Sequence, residues 1–516
     1  MLLTIKISNP IIVSNRVVKN MQRKERLFML LEQVLKTVKY SGDIPLDIDI
    51  KDIAYNSNKA GEDILFVCLV GAVVDGHDFA FSAYEKGCRF FVCQHDVLLP
   101  DDANIILVDN TREALAILSA NFFGHPSNEL AVIGITGTKG KTTTTHIIKD
   151  VLEKCGIKTG LIGTVGASYG NTLKQTVNTT PESYETQKLL REMADNGCTA
   201  VAMEVSSLGV KMHRVDNLNF KIGVFTNISP DHIGGDEHKT FEEYYGWKKA
   251  FFDMCDIAIG CADDEATQDM IENVEEKTLF GIECDANYIA SNVKPFKNHS
   301  FLGTVFDLSA NGKIYENMQV SLPGYYSVYN ALAAIAVCEK MGINIDDMRE
   351  PLSRIHISGR TEPVLISDDY SIIIDYAHNG TSLKQLLQTM RAYEPNRLIC
   401  LFGSVGDRAQ LRRKEMGLVA GSMCDLSIIT SDDPNFEEPE KIIEEIAGYV
   451  EQAGGKYEAI ADRENAIDYA VQVLQEGDML ILAGKGHEKF QKVKGELVPI
   501  DERKCINKAL ESLNII

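Results

Sequence analysis

The chain has 516 residues, 45% of them hydrophobic and 24% charged, which excludes a disordered or collagen-like polypeptide and allows two to four domains of roughly 100–200 residues each. Its 52 Lys and Arg against 74 Asp and Glu leave a net charge of −22, which argues against non-specific binding to nucleic acid or to an anionic membrane. Twelve cysteines are scattered without a CxxC pair, so reduced core thiols are expected, not a disulfide framework or a zinc site.

In chain order, the first ~25 residues mix short apolar stretches with Asn, Ser and Lys and read as a loose extension, not a signal peptide. A helix is expected over RLFMLLEQVLKTV, from Arg26. Short β-rich runs followed by helical patterns then recur: NIILVDN before REALAILSANFF, AVIGITG before TTTTHIIKDVLEKCG, and later KIGVFTN, RLICLFG, LSIITS and MLILAGKG. This alternation predicts an α/β protein with parallel sheets, cut into blocks 1–127, 128–355 and 356–516, with Gly124–Ser127 as a linker. Ligands of such sheets gather at the carboxyl ends of strands. No apolar run approaches the ~18 residues needed to span a bilayer, so a cytoplasmic protein without a membrane partner is expected.

The most informative stretch is AVIGITGTKGKTTTTHIIKD. A buried strand runs into Gly137, Thr138, Lys139, Gly140, Lys141, Thr142 and Thr143, and a helix follows. Glycines let the backbone N–H groups curl around phosphate oxygens, and the helix N-terminus adds partial positive charge. Lys141 suits the β- and γ-phosphates of ATP, and the Thr142 hydroxyl suits Mg²⁺. Ile135 stands where the strict Gly-rich pattern has its first glycine. The competing reading, an ordinary strand–turn–helix, is disfavoured by the strand context, two glycines and the GKT triplet together.

TGTKGKTTTT, NTTPE, EVSS, NISPDH, a lysine after FEEY, LPGYYSVYNALAA, GRTE, DYAH and GKGHE follow one another in an order that resembles the Mur ligase family. The likeness is to members that add the third residue to UDP-N-acetylmuramoyl-L-alanyl-D-glutamate in peptidoglycan synthesis. It implies an N-terminal UDP-binding α/β domain, a central P-loop ATPase-like domain with a mostly parallel sheet, and a C-terminal Rossmann-like α/β domain that binds the amino acid. It also implies a monomer and an ATP-dependent ligase working through an acyl phosphate.

By the same resemblance, Thr142, Glu204 and His232 correspond to Mg²⁺ ligands, and Lys248 to a lysine that CO₂ converts to a carbamate (N6-carboxylysine) and that also serves the metal. Lys141, Glu204, His232 and Lys248 are then the catalytic group. Lys249 is a competitor for the modified position, and two solvated lysines on a helix is the bland alternative. Asn330 corresponds to an adenine-recognising residue, and Arg360 and Asp375 to residues near the nucleotide's phosphates and ribose. Ser57, Thr179, Thr180, Pro181, Ser206 and Arg214 correspond to contacts with the UDP-sugar dipeptide, Ser57 from a segment that reads Asn56-Ser57-Asn58 where the family has Asp-Ser-Arg. Asp75-Gly76-His77-Asp78 accompanies Ser57 in the uridine and diphosphate assignment.

Arg408, Asp433, Asn435, Gly484 and Glu488 correspond to contacts with the incoming amino acid. Members that add diaminopimelate carry Asp-Asn-Pro-Arg, whose Arg pairs with the distal carboxylate; here the segment is Asp432-Asp433-Pro434-Asn435. With the guanidinium gone and an acid added, L-lysine is the expected substrate, with L-ornithine and meso-diaminopimelate as alternatives. Asp-Pro-Asn is also ordinary turn chemistry. A folylpolyglutamate synthetase-like ligase and a non-catalytic nucleotide-binding homologue are the readings from other classes; the TTP segment and GKGHE argue against the first, and intact Glu204, His232 and Lys248 against the second.

Overall fold

The computed structural model describes residues 28–71, 74–230, 233–234, 237–299, 301–367, 369–407, 410–513 and 515. His232 and Arg408, both expected at the site, lie outside the described residues, as does the N-terminal extension. The chain folds as two compact units. One comprises the residues up to Thr145 with Gly156–Gly260 and Asp264–Thr278; the other comprises His146–Cys155, Cys261–Asp263 and the residues from Leu279 onward.

The first unit holds two larger sheets besides the two-stranded pairing of Met29–Leu30 with Asp49–Ile50. Asp52–Ala54, Ile64–Val67, Phe90–Cys93 and Asn104–Leu107 form a parallel four-stranded sheet in that order. Side chains alternate across it, as strand geometry demands. Leu65, Val92 and Ile106 pack with Leu115 and Leu118 of the helix Thr111–Phe123, while Phe66 and Phe91 pack with Ala80 and Ala83 on the other face. Asn110 caps that helix by accepting from the N–H groups of Arg112 and Glu113, and Gly124 ends it at φ +70°.

In the second sheet the strands run Thr172–Lys174, Gly166–Tyr169, Thr159–Gly163, Ala200–Glu204, Ala131–Thr136, Phe220–Phe225 and Cys255–Cys261. The first two add antiparallel and the rest pair in parallel. The register sets Glu204 beside Ile135, and Phe225 beside Thr136. Three strands thus end level, and whatever follows each of them shares one edge.

The second unit carries an antiparallel meander, Tyr288–Asn298, Phe301–Ala310 and Lys313–Val320, followed by the helix Tyr325–Lys340. Besides the hairpin of Phe490–Val493 and Glu496–Pro499, it holds a six-stranded sheet that runs Glu362–Ile366, Tyr370–Asp375, Asp478–Ala483, Leu398–Phe402, Leu426–Ile429 and Tyr457–Ala459, parallel apart from the first strand. Helices cover both faces of that sheet around two apolar cores. This is the three-domain α/β architecture expected, with a parallel central sheet and a doubly covered C-terminal one.

The helix expected from Arg26 is corrected. Among described residues it is a single turn, Leu31–Val34, because the flanking backbone pairs elsewhere: Met29–Leu30 lies antiparallel to Asp49–Ile50, and the N–H groups of Leu31 and Glu32 donate to the carbonyls of Ile48 and Leu46. All twelve cysteines are free. No helix among the described residues is long and apolar enough to cross a membrane.

Candidate active site

The turn after Ala131–Thr136 is built by two glycines in the left-handed half of φ, Gly137 at +147° and Gly140 at +86°. At Gly137 a Cβ would lie 2.0 Å from the Thr226 hydroxyl, so only glycine lets the strand ends meet. The loop is tied to the segment after Phe220–Phe225. Thr138 N–H donates to the Asn227 carbonyl (2.9 Å), Lys139 N–H to the Asn227 side chain (3.0 Å), and the Thr226 hydroxyl to the Lys139 carbonyl (2.7 Å). Thr138 Oγ1 lies 2.9 Å from the Tyr244 hydroxyl. Lys141 opens the helix Lys141–Lys154, and its ammonium donates to the carbonyls of Gly137 (2.7 Å) and Thr138 (3.1 Å). The loop is therefore a preformed turn, tied to Asn227 and Thr226, that runs into a helix N-terminus with an ammonium folded against it, an arrangement suited to a phosphate.

Glu204 is fully buried at the end of its strand. Its carboxylate accepts from the Thr142 hydroxyl (2.9 Å), the Thr164 N–H (2.9 Å) and the Thr164 hydroxyl (3.1 Å). A Cβ at Gly163 would strike Glu204 Oε1 at 2.2 Å, so the glycine makes room for the acid. All three donors are neutral. A buried ionised carboxylate is costly without a compensating charge, and an oxygen-only pair of a hydroxyl and a carboxylate is what Mg²⁺ accepts beside phosphate. These residues fit that ion.

Lys248 and its neighbour separate cleanly. Tyr244 and Lys248 lie one turn apart on the inner face of Phe241–Ala250. The helix is pinned by Phe251 and Phe252, both buried, with Phe251 edge-on to Phe220 at 5.0 Å. Lys248 is 1% exposed, and its ammonium donates to the Gly137 carbonyl at 2.9 Å and lies 4.8 Å from the Tyr244 ring centre. Lys249 turns outward to Asp269 (2.9 Å) and Glu272 (2.5 Å). The lysine that faces the phosphate loop is thus Lys248.

Thr180 is fully buried; its hydroxyl donates to the Glu204 carbonyl at 3.0 Å and lies 3.2 Å from Ser206 Oγ, which also caps the turn Ser207–Lys211. Thr179 touches Thr164 at 3.0 Å. Arg214 is held by Glu182 (2.8 Å), which also takes Arg112 (3.1 Å). Pro181 lines a cavity of about 380 Å³ with Tyr55, Asn56, Lys59, Lys174 and Lys188. Ser57 is half-buried nearby in sequence, its carbonyl accepting from Lys86 at 2.7 Å. His77 is buried with both ring nitrogens engaged, one by Asp75 at 2.6 Å and one by the Gln94 N–H at 2.9 Å. It therefore braces its loop, and the adjacent Cys68 and Cys93, 3.7 Å apart, have no free imidazole to share a metal with.

In the second unit, Asn330 is half-buried on Tyr325–Lys340. Arg360 lies over the Tyr376 ring at 5.0 Å. The Asp375 carboxylate accepts from the N–H groups of Thr361 (2.7 Å) and Ala377 (2.8 Å), while burial pushes its carboxyl above the usual range. Asn435 sits at φ +53°, a conformation Asn tolerates well, and its side chain donates to the Gly406 carbonyl at 3.2 Å, so it builds a turn. Gly484, at φ +114°, leaves room for Asp432, whose Oδ2 would lie 2.7 Å from a Cβ there.

Asp432, Asp433 and Glu488 converge on Lys485, at 3.6, 2.7 and 2.7 Å. Sequence reasoning missed Lys485 although it lies inside GKGHE, because a lysine between glycines reads as loop solvent; nothing local announces that it is fully buried. Thr164, Tyr244 and Glu182 were missed for the same reason: their partners are distant in sequence.

Three family models match the chain: "Mur ligase family, catalytic domain" over residues 49–123, "Mur ligase middle domain" over 135–338, and "Mur ligase, glutamate ligase domain" over 359–486. A Clostridium perfringens protein named "UDP-N-acetylmuramoyl-L-alanyl-D-glutamate--2,6-diaminopimelate ligase" is 39% identical over 94% of this chain and 100% of its own length. A relative of the same name from Caldanaerobacter subterraneus subsp. tengcongensis is 38% identical over 93% of this chain and 99% of its own. A solved structure of a ligase of that name superposes with a TM-score of 0.70 at 24% identity, covering 94% of this chain and 99% of that one. The MurF ligase of Thermotoga maritima in complex with ADP shares the fold at a TM-score of 0.58 and 17% identity, covering 89% of this chain and 97% of that one. Similarity of this length and depth makes the chain a member of the Mur ligase family of ATP-dependent ligases.

Proposed function

We propose that this chain joins an amino acid to the D-glutamyl carboxylate of UDP-N-acetylmuramoyl-L-alanyl-D-glutamate, with L-lysine as the amino acid. The first part rests on the full-length relatives, whose names state that donor. The domain limits that go with it are 1–127 for the UDP-substrate, 128–355 for ATP and 356–516 for the amino acid. The second part rests on one observation: the Asp432–Asn435 segment carries two carboxylates, both paired with the buried Lys485, and no arginine of its own. A side chain ending in ammonium suits such a surface, whereas a second carboxylate wants a bidentate guanidinium. The relatives' names favour 2,6-diaminopimelate instead, and this is the competing reading.

The chemistry proceeds in two steps. A γ-carboxylate oxygen of the D-glutamyl residue attacks the γ-phosphorus of ATP, and ADP leaves. The amino acid's α-amine, deprotonated, then attacks the acyl phosphate carbon, and phosphate leaves as the amide forms. Gly137–Thr143 cradle the triphosphate, the Thr138 and Lys139 N–H groups tying the loop to Asn227 and the N-terminus of the helix Lys141–Lys154 facing the phosphates, with Lys141 on the outer ones. Thr142 and Glu204, with His232, would hold Mg²⁺, which supplies charge neutralisation where two anions must approach. Lys248, as a neutral amine, would attack CO₂ and release a proton to give the carbamate. Thr179, Thr180, Pro181, Ser206 and Arg214 are assigned to the dipeptide, and the cavity of about 380 Å³ beside Pro181, lined by Lys59, Lys174 and Lys188 together with Glu182, Glu185 and Glu192, has the size for part of a nucleotide sugar.

The test offers the purified chain ATP, the UDP-linked dipeptide, and L-lysine, L-ornithine and meso-diaminopimelate in competition, with mass detection of products. A product heavier by one lysine supports the proposal. Faster incorporation of diaminopimelate overturns the lysine assignment, and ADP release indifferent to the UDP-substrate overturns the donor.

A further inference from the structure

Lys485 has a task that the motif around it does not declare. Its ammonium is fully buried and touches three carboxylates: Asp433 Oδ1 and Glu488 Oε2 at 2.7 Å, and Asp432 Oδ1 at 3.6 Å. Burial alone would push the amine down, but Asp432, Asp433 and Glu488 outweigh it and hold Lys485 above the ordinary lysine value. One cation among three carboxylates leaves a net negative cluster, and the bonds are apportioned. Asp433 spends Oδ1 on both Lys485 and the Lys492 N–H (3.0 Å), while Glu488 gives Oε2 to Lys485 and accepts the Tyr376 hydroxyl on Oε1 at 3.1 Å. The lysine is anchored from behind by the chain: Arg463 donates to the Ser431 carbonyl (2.9 Å) and the Ala483 carbonyl (3.2 Å), the residues just before Asp432 and Gly484.

We propose that Lys485 is the positioning residue of the amino-acid site, a buried cation that holds Asp433 and Glu488 together in the arrangement that receives the incoming ammonium group. This deepens the proposed ligation and rests on it. Without the lysine, two carboxylates that share one nitrogen would repel. Glu488, its side chain 25% exposed, would swing to water, and the surface that reads the amino acid would lose its shape. Lys485 itself never meets substrate, so its removal should act on one substrate alone.

The experiment measures KM for the amino acid, ATP and the UDP-linked dipeptide separately in Lys485→Met and Lys485→Arg. Because Lys485→Met strands buried carboxylates, the charge-matched double variant Lys485→Met/Asp432→Asn is run beside it. The expected result is a rise of about ten- to hundredfold in the amino-acid KM, the scale of losing a charge-assisted contact, with partial recovery in Lys485→Arg. The KM values for ATP and the UDP-substrate should stay within about twofold of wild type, below the scale of one hydrogen bond. Three KM values rising together, or a lower Tm with an unchanged amino-acid KM, would overturn the positioning role. Wild-type enzyme that ligates no amino acid at all would instead remove the proposed function, so the two failures are distinguishable.

Discussion

Two lysines among the described residues are buried almost completely, and they reach different parts of the chain's chemistry. Lys248 is 1% exposed and gives its ammonium to a backbone carbonyl and a hydroxyl in the phosphate loop; Lys485 is fully buried and gives its own to carboxylates. Carbamylation needs a neutral amine. A lysine clamped by acids is fixed as a cation and stays one, which suits the holding of a shape. Burial alone therefore does not tell what a lysine does; where its nitrogen is aimed does.

The largest expected effect breaks the comparison on the Lys248 side. Lys248→Ala should lower kcat on the order of a hundred- to thousandfold, the scale of removing one preorganised electrostatic group. Short carboxylic acids added to the assay should restore part of that rate by standing in for the carbamate. Lys248→Ala at wild-type rate would remove the carbamate role. Next in size, Thr142→Ala should cost about ten- to hundredfold and raise the Mg²⁺ concentration needed for half-maximal rate, as loss of a ligand or its support does. An unchanged Mg²⁺ titration would mean the hydroxyl serves only to brace Glu204.

The phosphate loop was legible in the sequence because its function is carried by backbone. Gly137, Gly140 and the GKT triplet specify a shape within a few residues, and the strand that precedes them is a buried apolar run. Lys248 was legible only by family position; Lys249 has the same composition signal, and what separates them is the helix phase set by Phe251 and Phe252. The helix expected from Arg26 failed because strand Asp49–Ile50 takes the backbone of Met29–Leu30, a pairing across some twenty residues that no local pattern reports. Lys485 was illegible for a related reason, since its partners Asp432 and Asp433 come from a different strand end.

On the Lys485 side, Asn435→Arg should sharpen the comparison by returning a guanidinium to the carboxylate-lined turn. We expect the ratio of diaminopimelate to lysine incorporation to rise roughly tenfold, one charge-assisted pair's worth. Asn435 occupies φ +53° and bonds the Gly406 carbonyl, so the variant should also lose about 1 kcal/mol of stability to backbone strain. No change in the ratio would mean that the turn is scaffold and that selectivity lies elsewhere.

The smallest effect belongs to the lysine that looks most like Lys248 in the sequence. Lys249 bonds Asp269 and Glu272, which hold its amine above the ordinary lysine value, but those acids are about half exposed, at 53% and 52%, and water screens the pair. An exposed pair of this kind contributes about 0.2–1 kcal/mol. Lys249→Ala should therefore leave kcat and all three KM values unchanged and lower stability by no more than that, with the loss shrinking further at high salt. Adjacent positions on one helix would then differ by at least a hundredfold in rate for the same substitution, a contrast set only by which face Phe251 and Phe252 turn inward. A Lys249→Ala enzyme as crippled as Lys248→Ala would show that the helix turns its other face to the loop during turnover, and the assignment of Lys248 would pass to its neighbour.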